Sequence, residues 1–349
     1  MSASEDRYLR AGVIGAGLIG ARRALDFIQL PNTELRWVCD PDQARGERLA
    51  REVSKRQGSA CRWVEQVTAG LEADLPDLVM IAVPHDQAAV IATTVLNEHI
   101  HVHLEKPMGR NFDEAQCLAD AAQMSRGRLA LGFNYRHYPA IVRAKELIDS
   151  GDIGRPLLVR MILGHGGRPG YEQEWKLQRE RAGGGALIDP GIHLIDLAQH
   201  LLGDLYPRSA QLNRLYWNID VEDAATAVLS TSDGATVMLQ SDLVEWRSIF
   251  QVAIQGSDGY IRVDGRMGNY GAQSLAFGKR WAWLDGRSQV EQEQVEQFGS
   301  VDTSFEDQLA LVVRALRMEE PVPAGVSDGL AAMRIIRDLY ELGAPSVGQ

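Results

Sequence analysis

Apolar positions fall into two rhythms along this chain. Residues 9–14 form a largely apolar run of strand length, and 18–28 carry apolar positions at helical spacing. The alternation continues, with strands expected at 34–39, 78–83, 100–104 and 129–133 and helices at 43–54, 88–96 and 112–124. Strands that alternate with helices pair in parallel, so this part predicts a Rossmann-type, doubly wound parallel sheet.

The pattern changes after about residue 130. A helix at 140–150 and a strand at 156–163 precede a glycine-rich loop and a helix at 191–202. Strand-like stretches follow at 210–217, 224–230, 235–242, 250–255 and 260–263, punctuated by the turn dipeptides Asp233-Gly234, Asp258-Gly259 and Asp264-Gly265. Helices at 305–318 and 328–342 close the chain. The fold class is therefore α/β: a Rossmann domain over 1–128, then an α+β domain over 129–349 with a large, mostly antiparallel, open-faced sheet and helices on one side.

Composition narrows the function classes. The chain has 349 residues, enough for two cores, with 45% hydrophobic and 24% charged residues. Its net charge of −11 disfavours a phosphate backbone, so no nucleic-acid partner is expected. Cys39, Cys61 and Cys117 are odd in number and lack Cys-x-x-Cys spacing, which fits a reducing compartment. Residues 1–10 offer no apolar signal-peptide core, and no stretch approaches the ~18 apolar residues of a membrane helix. A cytoplasmic protein without a membrane partner is the expectation.

Candidate chemistry begins at Gly15-Ala16-Gly17-Leu18-Ile19-Gly20, between the first strand and the first helix. Gly15 suits a tight turn, Gly17 admits a pyrophosphate, and Gly20 lets the helix pack on the strand, while the helix start offers N–H groups to phosphates. Asp40 ends the second strand, where a carboxylate meets an adenosine ribose and repels a 2′-phosphate. NAD is therefore expected ahead of NADP, although Arg22, Arg23 and Arg45 lie nearby; the alternative for Asp40 is a helix N-cap. Pro84 and His85 follow another strand, at the edge where such sheets bind ligands, or else form an ordinary turn.

Lys106, set between Glu105 and Pro107 after a strand, can stabilise a developing alkoxide; alone it reads as a solvated lysine. Gly183-Gly184-Gly185 leads to Asp189-Pro190-Gly191-Ile192-His193. Asp189 and His193 share a face at a helix start, and histidine suits proton transfer near neutrality. The bland readings are an Asp189 N-cap and a solvated stripe of His193, Asp196 and His200. A metal site there lacks a fourth ligand, and none is expected. In the loop from Gly164 to Lys176, Arg168 can clamp an anion, and Tyr171 and Trp175 can stack on a sugar ring.

The order of these motifs resembles the Gfo/Idh/MocA oxidoreductase family over most of the chain. Gly15 to Gly20 is similar to its nucleotide-binding turn, His101-Val102-His103-Leu104-Glu105-Lys106-Pro107 to its Glu-Lys-Pro strand, and Gly184-Gly185 through His193 to its Gly-Gly…Asp-x-Gly-x-His segment. Val83-Pro84-His85 departs from the usual Thr-Pro-Asn, and Ala88 stands where a histidine is frequent. The resemblance implies hydride transfer between nicotinamide and a secondary alcohol of a sugar, sugar derivative, sugar nucleotide or cyclitol. His193 would be the base or acid, Lys106 would polarise the substrate oxygen, and Asp189 would position the substrate. Gly15, Gly17, Leu18, Ile19, Gly20, Asp40, Pro84, His85, Glu105 and Lys106 would hold the cofactor. Substrate would meet Lys106, Arg168, Tyr171, Trp175, Asp189 and His193. The alternatives are an NAD-dependent glycoside-cleaving enzyme and a dinucleotide sensor without turnover. A homodimer or homotetramer through the C-terminal sheet is also implied. The alternating apolar positions between 224 and 263, which one layer of helices cannot all cover, favour it.

Overall fold

The computed structural model describes residues 4, 6–286, 288 and 292–343. The chain forms two compact units, Met1–Phe133 with Phe305–Met333, and Asn134–Ser304 with Arg334–Gln349. A single cut at 128/129 differs from this, because residues 305–333 return to the first unit. Their apolar side chains Leu309, Val312, Val313 and Leu316 complete a core with Leu9, Val13, Phe27 and Val38.

The first unit alternates β1 (Leu9–Ile14), α1 (Leu18–Phe27), β2 (Thr33–Cys39), α2 (Gln43–Gln57), β3 (Arg62–Val64), α3 (Val67–Ala73), β4 (Leu78–Ile81), α4 (His85–Asn97), β5 (His101–Leu104), α5 (Phe112–Met124) and β6 (Leu129–Leu131). All strand pairs are parallel, in the order β3-β2-β1-β4-β5-β6. This is the doubly wound Rossmann order, which reverses between β1 and β4 and opens a crevice there at the carboxyl ends. Local chemistry sets the helix limits. Asp42 caps α2 by accepting the Arg45 N–H at 3.0 Å, Gly58 ends it at φ 78°, and Asn111 caps α5 through the Glu114 N–H.

The second unit holds α6 (Pro139–Asp149), β7 (Pro156–Gly164), α7 (Arg179–Ala182), α8 (Ile192–Leu202), β8 (Leu205–Asn213), β9 (Ala224–Thr231), β10 (Thr236–Asp242), β11 (Ile249–Gly256), β12 (Gly259–Asp264), β13 (Ser274–Lys279) and β14 (Gln294–Gln297). The strand order is β14-β13-β12-β11-β7-β10-β9-β8; only β7 with β10 is parallel. Burial alternates along the central strands β9, β11 and β12. Phe250, Val252 and Ile254 of β11 lie inside, on the face that meets α6 at β12 and β13 and α8 at β7 and β10, while Thr226, Met238 and Arg262 stand on the opposite face. The closing helices are α9 (Ser304–Met318) and α10 (Val326–Gly343).

The strand expected at 210–217 lies instead at Leu205–Asn213. The Asp223 carboxylate accepts the N–H groups of Leu215, Tyr216 and Trp217 at 2.7–2.9 Å, which turns that segment out of the sheet.

Candidate active site

Contacts at the two outer glycines of the turn leave no room for side chains. Gly15 has φ +93°, and a Cβ there would come within 2.2 Å of the Ala82 carbonyl oxygen; one on Gly20 would reach 1.7 Å from Gly15 O. A Cβ on Gly17 meets nothing within 4 Å. The turn is therefore packed against β4 and α1 by its outer glycines, while its middle glycine faces open space. Gly17 is also the N-cap of α1, without a side-chain cap, so the first helical N–H groups keep their donors for an outside acceptor. Leu18 is 87% exposed and Ile19 half-buried beside this opening, an apolar surface suited to cover by a ligand. These features fit a dinucleotide pyrophosphate.

Asp40 is buried and does not cap a helix, since Asp42 does. Its Oδ2 accepts the Ala16 N–H of the turn at 2.7 Å; its Oδ1 accepts the Asp42 N–H at 2.8 Å and Arg45 Nη2 at 3.1 Å. The carboxylate thus fixes the turn from the end of β2. Arg23, in contrast, is buried away from any phosphate position. It donates to Glu105 at 2.8 Å, the Phe305 carbonyl at 3.0 Å and Gln308 Oε1 at 2.7 Å. Glu105 is accordingly an anchor for the end of β5, where the half-buried Lys106 precedes buried Pro107 and Met108. Half-burial and this anchoring separate Lys106 from an ordinary solvated lysine. Pro84 is the N-cap of α4, and His85 opens that helix as a buried residue.

In the second unit, Gly184 and Gly185 make room for protein rather than ligand. A Cβ on Gly184 would strike the Tyr340 hydroxyl at 1.8 Å, and one on Gly185 the Glu222 carbonyl at 1.9 Å. Glu222 Oε1 accepts the N–H groups of Gly185 and Leu187 and the Tyr340 hydroxyl. This lattice fixes the segment that delivers Asp189. The helix N-cap is Gly191, and Asp189 instead forms an ion pair with Lys176 at 3.1 Å. The Asp189 charge raises the Lys176 pKa, against the pull of burial. Nor is the stripe from His193 solvated. His193 is buried with its ring stacked on Tyr135, centroids 3.8 Å apart and planes within 4°. Asp196 is buried in a bidentate pair with Arg136, at 2.9 and 2.5 Å.

The same unit holds a cavity of about 600 Å³, whose wall includes His165, Arg168, Tyr171, Trp246, Arg247 and Tyr270. Arg168 also pairs with Glu174 at 2.5 Å. Trp175 sits outside that lining, with Lys176 and Arg181 over its ring. Burial lowers the His165 pKa, and Asp189 is the largest charge opposing the drop. Arg266 reaches over Tyr270 at 3.7 Å and Tyr135 at 5.0 Å and donates to the Tyr138 hydroxyl at 3.2 Å. Tyr135, Lys176, His165, Trp246 and Arg266 were not assigned roles from sequence. They come from short turns and loops, with only His165 and Lys176 in the same loop, and no spacing rule connects them. Among the described residues, no group of three or more His, Cys, Asp or Glu is placed to hold a metal, and no helix is long and apolar enough to cross a membrane.

Comparison with known proteins adds to this geometry. Residues 9–133 match the family model described as oxidoreductase family, NAD-binding Rossmann fold, and residues 141–262 match the GFO/IDH/MocA C-terminal domain. Levoglucosan dehydrogenase of Pseudarthrobacter phenanthrenivorans is 31% identical over 218 residues, 59% of this chain and 54% of its own length. The scyllo-inositol 2-dehydrogenase (NAD(+)) of Bacillus subtilis is 28% identical over 199 residues, 57% of this chain and 55% of its own length. The chain thus spans about half the length of these curated relatives. A solved structure of levoglucosan dehydrogenase in complex with NADH and levoglucosan shares the fold, with a TM-score of 0.83 at 22% identity over 97% of this chain and 98% of that one.

Proposed function

Because the chain belongs to the GFO/IDH/MocA family of oxidoreductases, we propose that it transfers a hydride between NAD and a secondary alcohol of a sugar, sugar derivative or cyclitol. The observation that carries this reading is the group at the start of α8, with buried His193 face to face with buried Tyr135 and half-buried Asp189 paired with Lys176. Alcohol oxidation needs a base that takes the hydroxyl proton as the hydride leaves. A buried imidazole held flat against an aromatic ring is pre-oriented for that transfer. The two relatives named above, which act on levoglucosan and scyllo-inositol, support the substrate class.

Each residue has a role in this reading. The N–H groups at Gly17 and the start of α1 hold the pyrophosphate, and Asp40 accepts the ribose hydroxyls. NAD, when bound, supplies the hydride acceptor. Lys106 donates to the substrate oxygen and stabilises its growing negative charge. His193 takes the hydroxyl proton on an imidazole nitrogen. Asp189, oriented by Lys176, accepts from a neighbouring substrate hydroxyl. Arg168 and Tyr171 contribute to substrate binding from the cavity wall, and Trp175 from the same loop.

The test pairs a substrate panel with one variant. Sugars, glycosides, sugar acids and inositols are offered with NAD while the reduced-nicotinamide band is followed. At least one compound should be oxidised, at a rate that rises with pH through a single ionisation. His193→Asn should bind NAD normally, lose most turnover and lose that ionisation. If the pH step survives in the variant, another group is the base.

A further inference from the structure

Trp246 and Tyr216 are large aromatic side chains left 66% and 64% exposed. Scattered exposed apolar residues need no explanation, but these two belong to a continuous structure. Their rings meet edge to face at 4.8 Å. From Tyr216 the contacts run to Trp217 at 5.3 Å, then to Tyr171 at 5.8 Å and to His165 at 5.6 Å. This belt begins inside, at the buried Tyr171, and ends in solvent. Both of its ends, His165 with Tyr171 and Trp246, lie on the wall of the same cavity.

The belt is fixed in place. Trp217 donates its indole N–H to the Leu243 carbonyl at 2.8 Å, and Asp223 holds the backbone of residues 215–217. A Cβ on Gly166 would come within 2.8 Å of the Trp246 ring, so the indole lies against bare backbone. Polar groups accompany the rings on the wall, among them Arg247, Ser248 and Asn269. Aromatic faces beside a few directed donors match a saccharide ring, which has apolar C–H faces and hydroxyl edges. The volume of about 600 Å³ is within the roughly 300–1,000 Å³ range of pockets that enclose drug-sized ligands, more than one pyranose ring fills.

We propose that the Tyr216–Trp246 end of the belt is a subsite for a second ring, and that the substrate class is a glycoside. The outer ring enters the cavity and stacks on Trp246, and the reacting ring extends from it toward Asp189, whose charge acts on His165 and Tyr171 of the wall. This assignment rests on the sugar-oxidising reading and specifies its substrate.

The experiment is calorimetric titration of the full chain with NAD present. Glucose and galactose are compared with the disaccharides cellobiose, maltose and lactose. The best disaccharide should bind roughly tenfold more tightly than the best monosaccharide, a difference of about 1.4 kcal/mol. Trp246→Ala and Tyr216→Ala should each bring that ratio close to one, and Trp246→Phe should keep most of it. Both side chains are exposed, so these variants should fold, which circular dichroism checks. Equal affinities in the wild type, a ratio unmoved in both alanine variants, no binding of any of these sugars, or tighter binding of UDP-glucose than of every disaccharide would each overturn the subsite. The two readings fail separately. Disaccharide selectivity without NADH formation leaves the subsite and removes the redox role, whereas oxidation of a monosaccharide with no gain from a second ring does the reverse.

Discussion

At the scale of single residues, the proposed choice of NAD over NADP rests on Asp40. Both of its oxygens are engaged in the glycine turn and with Arg45, and the carboxylate is buried. A 2′-phosphate brought to it would meet a negative charge, against which the Arg45 guanidinium compensates. NAD should therefore bind more tightly than NADP in a titration of both, and Asp40→Ser should narrow the gap; tighter NADP binding by the wild type would mean that Arg45 sets the preference. Lys106→Ala should leave NAD affinity nearly intact and lower turnover by about 10²–10³, the usual effect of removing one preorganised donor to a developing oxyanion. Near-normal turnover would make Lys106 a structural residue. The motifs singled out Gly15, Gly17, Gly20, Asp40, Lys106, Asp189 and His193 as candidates in the sequence. The Lys176–Asp189 and Tyr135–His193 contacts were not, because each joins a loop residue to a helix start through tertiary packing alone.

At the scale of elements, β5 carries a pH liability. Burial lowers the His101 pKa to about 4, and its Nδ1 accepts the Arg128 N–H at 3.0 Å. His103 is fully buried, and burial lowers its pKa as well. Both are folded in the neutral form, with pKa values below the unfolded value of about 6.5. The unfolded chain therefore binds more protons below that pH. Stability should be fully present above about pH 6.5 and fall as the pH drops toward 4. Urea midpoints at pH 7.5 and 5 measure this, and His101→Gln should reduce the difference; an unchanged difference would move the effect to His103 or another group. Element limits show what periodicity can and cannot read. The strand β1 and helix α5 lie at the expected residues, since β1 is a nearly continuous buried run and α5 starts at the Asn111 cap. The three-residue β3 is too short to show a period, and α3, β13 and β14 were also missed. The edge strand β14 is mostly Gln and Glu, with no apolar face to detect.

At the scale of the whole molecule, the second unit's sheet keeps one face without helices among the described residues. That face mixes Met238, 41% exposed, and the half-buried Leu158, Ile162 and Val228 with Thr226 and Arg262. Its composition suits a surface that meets a second copy of itself, and sedimentation at micromolar concentration should find a dimer or tetramer. A charge placed at its centre, as in Met238→Asp, should shift the protein toward monomer, and a strictly monomeric wild type would end the idea. The two-layer plan was legible because strand rhythm changes after residue 130. The return of residues 305–333 to the first unit was not, since an amphipathic helix does not name the core it joins. The central claim is net hydride transfer from a sugar-like alcohol to nicotinamide. Its most direct test is to supply a substrate found by the panel with deuterium at the reacting carbon, and to weigh the NADH formed. The account predicts NADH in proportion to oxidised product, carrying the deuterium. Product formed without net NADH, or NADH without the label, would contradict it.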